Sequence, residues 1–247
     1  MNEPLISEEW ITSPAERHDA LRFVSEETPC PYLSGRQSRS EVYRADGLEP
    51  AAYERLLGLG FRRSGRIVYR PRCRECHECR QLRVVVGSFV RTRSMNRVWR
   101  MNRDVGVALD DPEATEEKYD LFVRYLNAQH DGTMGRTRDA LAGFLYDSPT
   151  DTVELTYRIG RRLIGVSIAD RVPAGLSSVY MFFDPAFARR SLGTFSILWE
   201  IEFVRREGLA YYYLGYYVPE SQTMAYKVRF RPNEMLAGER HWLGLRD

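Results

Sequence analysis

LSSVYMFFDPAFARRSLGTFSILWEIEFVRREGLAYYYLGYYV, residues 176–218, is the stretch on which the fold turns. Val179, Tyr180, Met181, Phe182 and Phe183 are β-formers with no breaker among them, so they predict a strand. Asp184-Pro185 ends it, because proline has no N–H for a ladder and disfavours helix in the residue before it. A short loop with Arg189, Arg190 and Gly193 follows. Ile197, Leu198, Ile201 and Val204 then recur at helical spacing up to a stop at Gly208. A second aromatic strand, 211–218, closes the unit. In a βαβ unit of this kind the loop's free N–H groups sit at a helix N-terminus, an anion site by geometry to which arginine adds full charge. An ordinary crossover with a solvated basic turn has the same sequence pattern.

Upstream, 152–159, 163–169 and 178–183 read as strands, the first two joined by Gly160-Arg161-Arg162 as a hairpin loop. Before them, Thr115 caps a helix with Glu116 and Glu117 in its first turn, Tyr119, Phe122, Tyr125 and Leu126 as its core face, and Gly132 as its end. A meander feeding a βαβ unit predicts an α+β fold. A composition shift near 105–112 divides the chain into a Cys- and Arg-rich part, 1–105, and the α+β part, 106–247.

The N-terminal part is chemically unusual. Of 36 basic residues in the 247-residue chain only Lys118 and Lys227 are lysine. Thirteen arginines fall between Phe61 and Asp104 against three acidic residues, although net charge over the whole chain is only +2. Such a local excess suits a polyphosphate partner. Arg93, Arg97 and Arg100 line one side of a predicted basic helix, 91–103, with Met95, Val98 and Trp99 on the other. The four cysteines are Cys30, Cys73, Cys76 and Cys79, the last three at successive C-x2-C spacing. They can face one zinc ion or iron–sulfur cluster, with His77 as the alternative fourth ligand, or remain reduced thiols. No apolar run approaches the ~18 residues of a membrane span, and the start lacks a signal-peptide pattern, so the expectation is a cytoplasmic protein.

CPYLSGR with CRECHECR, SSVYMFFDP followed by RSLGT, and YYYLGYYV followed by MAYKVRFRP together resemble the aminoacyl-tRNA–protein transferase family, from about Cys30 to Trp242. The chain is similar in length to the bacterial branch that transfers leucine from leucyl-tRNA to proteins beginning with Asp or Glu, marking them for degradation. The resemblance implies a C-terminal domain of the GCN5-related acetyltransferase type (GNAT-like) behind a smaller Cys-rich domain. It implies an aminoacyl-tRNA and acidic-N-terminus proteins as partners, with no membrane and no DNA. Arg190, Ser191 and Gly193 stand where an acetyltransferase binds a pyrophosphate, so the resemblance implies that they hold the charged tRNA end. Transfer of arginine, an ordinary acetyltransferase and a non-catalytic tRNA-binding zinc protein are the competing expectations.

Attack of an amine on an activated ester needs no ATP and no cofactor. An α-amine with a pKa of about 7.7–8.0 is partly neutral already, so positioning, oxyanion stabilisation and one proton acceptor suffice. Asp170, at the end of a central strand, is the expected acceptor. Asp184 is second, with a turn-forming role before proline as its alternative. Tyr180 and Tyr216 are expected to orient the ester or donate to the oxyanion. Lys227, Arg229 and Arg231 alternate along a strand signal, which would turn all three to one face for the acceptor's carboxylate.

Overall fold

The computed structural model describes residues 22–129, 137–238 and 240–244. Gly132, the expected helix end, lies outside them. The strands in chain order are β1 (Arg22–Val24), β2 (Thr28–Pro29), β3 (Gln37–Ser38), β4 (Ser40–Arg44), β5 (Arg62–Ser64), β6 (Ile67–Pro71), β7 (Arg80–Val85) and β8 (Gly106–Asp110). There follow β9 (Thr152–Ile159), β10 (Arg162–Val172), β11 (Gly175–Phe183), β12 (Tyr211–Tyr217), β13 (Asn233–Leu236) and β14 (Trp242–Gly244). The helices are α1 (Pro50–Leu57), α2 (Arg93–Met101), α3 (Glu116–Gln129), α4 (Arg138–Leu141) and α5 (Leu192–Arg206).

Eight strands form one sheet in the order β14-β13-β7-β12-β11-β10-β9-β8, and a four-stranded sheet, β1-β4-β6-β5, lies beside it. The α+β expectation holds: β8 to β11 run antiparallel, and α5 carries the chain from β11 to its parallel neighbour β12. β10 reads Leu163-Ile164-Gly165-Val166-Ser167-Ile168-Ala169 and is buried on both faces, which is why its apolar run is nearly continuous. Gly208, with φ +69°, sits just beyond the last turn of α5, where a left-handed residue ends a helix at little cost.

The sheet is covered on both sides. Ile197, Leu198, Ile201 and Val204 of α5 pack with Val84, Leu155, Ile164 and Leu176. On the other face Leu121, Phe122 and Leu126 of α3 pack with Val166, Ile168 and Phe182. A third core joins α1 to the small sheet through Tyr53, Leu56, Leu57, Phe61 and Val68.

The division expected at residue 105 is not a seam in the packing. β7, from the Cys-rich part, lies between β12 and β13 inside the large sheet. Side chains of β5 bind the two parts further. Arg63 and Asp170 are both fully buried and form a two-pronged ion pair, with Nε 2.8 Å from Oδ2 and Nη2 2.9 Å from Oδ1. Thr152 Oγ1 donates to Asp170 Oδ1 at 2.6 Å. Asp170 is therefore sealed and fully engaged, and it anchors β5 to β10; this overturns its expected role as proton acceptor.

Breaking a buried ion pair leaves one uncompensated charge, at a cost of about 3–5 kcal/mol. Asp170→Asn should lose stability on that scale in urea unfolding. The double variant Arg63→Met/Asp170→Leu should recover most of the loss. A single-variant loss below about 1 kcal/mol would mean that the pair does not hold the two sheets together.

Candidate functional site

The backbone opens where β11 and β12 part. These parallel neighbours share only three ladder positions, Gly175 with Tyr211, Leu176 with Tyr212 and Ser177 with Tyr213. Beyond them β11 continues along β10 and β12 along β7, so their facing edges have no ladder partner across the gap. Two irregularities bend the strands apart. The β10–β11 register skips at Val179, and the β12–β7 register shifts between Tyr213 and Gly215, where Gly215 takes φ +80°.

Arg62 of β5 fills the fork. It is 7% exposed; its Nη1 donates to Ser177 Oγ at 3.1 Å and its Nη2 to Ser178 O. A Cβ on residue 215 would sit 3.0 Å from the Arg62 Cζ, so any other residue there would crowd the guanidinium. Lys227 is half-buried, with its ammonium turned onto Tyr216 O at 2.9 Å. Burial lowers its pKa to about 7, and the positive charge of Arg62 adds to the effect.

The other expected residues take varied places. Tyr216 is buried and its hydroxyl donates to Gly60 O (2.8 Å) and Tyr69 O (3.2 Å), so it ties β12 to the small sheet and does not present an oxyanion donor. Tyr180 packs its half-buried ring edge-on against Phe122, Tyr125 and Phe144. Asp184 accepts from Arg162 Nη2 (2.8 Å) and from Ala186 N (3.0 Å) as a turn-former before proline. Burial alone would raise its pKa, but these hydrogen bonds hold the carboxyl below its ordinary value.

Lys227, Arg229 and Arg231 do not lie on a strand. Residues Ala225–Arg229 form a 3₁₀ turn, and Asn233 Nδ2 donates to Val228 O (3.0 Å) and Phe230 O (2.9 Å), satisfying the carbonyls that a ladder would otherwise take. Lys227 points inward while Arg229 and Arg231 are exposed, so the trio does not share a face.

The expected anion loop is real in shape but altered in charge. Ser191 adopts φ +55° and caps α5 without a side-chain bond. Arg190 does not face an open anion site; it grips Asp104 through two bonds, 2.7 and 2.9 Å, and Met101 O at 3.1 Å. This fastens the loop to the end of α2. On α2 itself Arg93, Arg97 and Arg100 are exposed, while Met95 is buried and the Trp99 ring packs on Phe195 of α5, 5.6 Å between centroids. An arginine face therefore stands beside the start of α5.

Cys30, Cys73, Cys76, Cys79 and His77 line one cavity of about 280 Å³, with Tyr69 and Tyr216 in its wall. Burial, with the other three thiols adding, pushes the Cys79 thiol up to about 12. The donor set suits a soft metal, yet among the described residues no three donors stand around one point closely enough to share an ion.

Two residues of consequence were missed in the sequence: Arg62 and Glu200. Glu200 of α5 is fully buried and accepts from Tyr212, from Ser167 (2.7 Å) and from Tyr157 (3.3 Å). Burial raises its pKa to about 7 against the pull of those hydroxyls. It clasps α5 to β9, β10 and β12 under the gap. For Arg62 the available signal was Gly215, a glycine inside an aromatic strand, which marks a close approach by another group.

Residues 28–97 match the family described as "Arginine-tRNA-protein transferase, N terminus", and residues 117–237 match its C-terminal counterpart. The chain is 38% identical over 218 residues to the aspartate/glutamate leucyltransferase of Hahella chejuensis, covering 87% of this chain and 93% of that one. It is 40% identical to the protein of that name from Paramagnetospirillum magneticum, with 86% and 88% covered. For Aeromonas hydrophila the identity is 42%, with 84% and 88% covered. Among solved structures, FemX aligns over 80% of this chain and 79% of its own, with a TM-score of 0.44 and 8% identity.

Lys227 gives the site a pH signature. Its folded pKa, about 7, lies below the unfolded value near 10.4, so between those limits the unfolded chain binds more protons. Its contribution to stability therefore rises with pH from about 7 to about 10. The urea midpoint of wild type should climb relative to that of Lys227→Met as pH rises across that range; a constant difference would mean an unperturbed lysine.

Proposed function

The chain belongs to the arginine-tRNA–protein transferase family, and from that premise we propose that it transfers leucine from leucyl-tRNA to the N-terminal α-amine of proteins beginning with Asp or Glu, marking them for degradation. The observation that carries this reading is the gap between β11 and β12, open along two unpaired backbone edges and lined by cations, beside a face of exposed arginines. The relatives' name supplies the donor and acceptor class.

In the reaction the neutral α-amine attacks the ester carbonyl. A C–N bond forms, the bond to the tRNA terminal ribose oxygen breaks, and that oxygen takes up a proton as the amine loses one. Backbone N–H groups on the open strand edges are suited to the oxyanion, since they are fixed before reaction and cost no reorganisation. The amine's own pKa makes a dedicated strong base unnecessary.

The tRNA is held by Arg93, Arg97 and Arg100, which contact phosphates and position the substrate without reading sequence. Among the described residues no helix is long and apolar enough to cross a membrane. The four cysteines, with His77 as alternative ligand, are the ligand types of a zinc ion or iron–sulfur cluster, which would have to draw them closer together than they stand here and would cross-link the N-terminal part.

Incubating the protein with charged tRNA pools and peptides beginning with Asp, Glu or Ala should give leucine on the first two alone by mass spectrometry. Arginine on the peptides, or no transfer, would contradict the assignment. Replacing Arg93, Arg97 and Arg100 with Ala should weaken tRNA binding and flatten its salt dependence by roughly one counterion per lost contact; an unchanged slope moves the tRNA surface elsewhere. Elemental analysis should find metal in wild type and none in Cys76→Ser. Absence of metal, with both proteins melting alike, would leave the cysteines as thiols.

A further inference from the structure

Resting on the leucyl-transfer reading of the site, we infer that Arg62, acting with Lys227, is the reader of the acceptor's first side chain, binding its carboxylate inside the gap between β11 and β12. Arg62 presents five N–H donors, and two go to Ser177 Oγ and Ser178 O. Its Nε and the remaining hydrogen on each Nη have no partner among the described residues. The Lys227 ammonium has one, Tyr216 O. Among the described residues neither forms an ion pair. Asp170, opposite Ser177 in the ladder, is neutralised by Arg63. Two cations, one buried and one half-buried, thus stand in one place with no anion paired to them among the described residues.

Such an arrangement costs stability and is relieved when an anion enters, which the depressed pKa of Lys227 records. A carboxylate is the anion that fits. It is planar and small, and it matches the free edge of a guanidinium fork. A phosphodiester carries a sugar on each side, and its contacts are available outside on α2. Reach gives the same answer: the carboxyl of an N-terminal Asp or Glu lies only two or three carbons from its own α-amine, so its reader must border the reacting centre. Arg62 does so, at the apex of the open strand edges, whereas Arg229 and Arg231 face solvent. A rigid fork paired with a flexible ammonium can also serve both lengths, Asp and Glu. A glutamine in the same place would leave both cations unpaired.

The test is calorimetric binding of peptides that differ only in beginning with Glu or Gln. Wild type should prefer Glu. Arg62→Gln should cut that preference by about ten- to a hundred-fold, the worth of a charge-assisted hydrogen bond, while leucyl-tRNA affinity holds. Arg62→Lys should keep part of it. An Arg62→Gln protein that melts like wild type and keeps full preference overturns the inference. So does one that loses tRNA affinity and keeps the preference, since Arg62 would then bind phosphate. If Arg62→Gln does not fold, Lys227→Met decides in the same assay: a lost preference supports the pair and a full one overturns it. A wild type that transfers no leucine yet prefers Glu through Arg62 would sink the leucyl-transfer reading and leave the reader standing.

Discussion

Two parallel strands that pair for only three positions must be kept apart by something, because their free N–H and C=O groups would otherwise close the ladder. Here several features combine. The skip at Val179 and the shift before Gly215 bend β11 and β12 away from each other, and the Arg62 guanidinium occupies the fork. Gly215 is the hinge of this arrangement, since it supplies both the positive φ and the space for Arg62. The open edges, the buried positive charge and the reaction assigned to them all follow from that wedge.

The wedge comes from the N-terminal part, which is consequently part of the site and no separate appendage. Consecutive residues of β5 perform two jobs: Arg62 enters the gap while Arg63 locks onto Asp170. β7 completes the large sheet, and Tyr216 hydrogen-bonds to Gly60 O and Tyr69 O across the junction. Tyr216 also walls the cysteine cavity while its carbonyl takes the Lys227 ammonium, so the thiols and the gap share one residue. On the far side Arg190 and Asp104 fasten α2 to the start of α5, which fixes the arginine face relative to the sheet.

Most of the architecture was legible because it is written in local pattern. The βαβ unit, the strands 152–159 and 178–183, and the one-sided arginine helix depend on spacing and breakers that one sequence displays. The site was legible only in part, because an ionisable side chain's role depends on its partner. Asp170 reads as an open carboxylate and Arg190 as an anion binder, but in the fold Arg63 covers the one and Asp104 the other. Alternation at 227–231 mimicked a strand, but the Asn233 amide captures the turn's carbonyls. The composition shift near residue 105 marks chemistry, whereas β7 follows pairing and joins the large sheet across it. Rarity carried a usable signal too: both lysines of this arginine-rich chain are turned inward, Lys118 onto Glu154 and Lys227 onto Tyr216.

The central claim is that the strand gap receives the acceptor with its acidic side chain against the wedge. A crystal structure of the protein with a Glu-initiated peptide tests this most directly. The account predicts the γ-carboxylate within hydrogen-bond distance of the Arg62 guanidinium and the Lys227 ammonium, with the peptide α-amine at the open edge of β11 or β12. A peptide carboxylate bound at Arg229, Arg231 or the α2 arginines, with the gap empty, would contradict it.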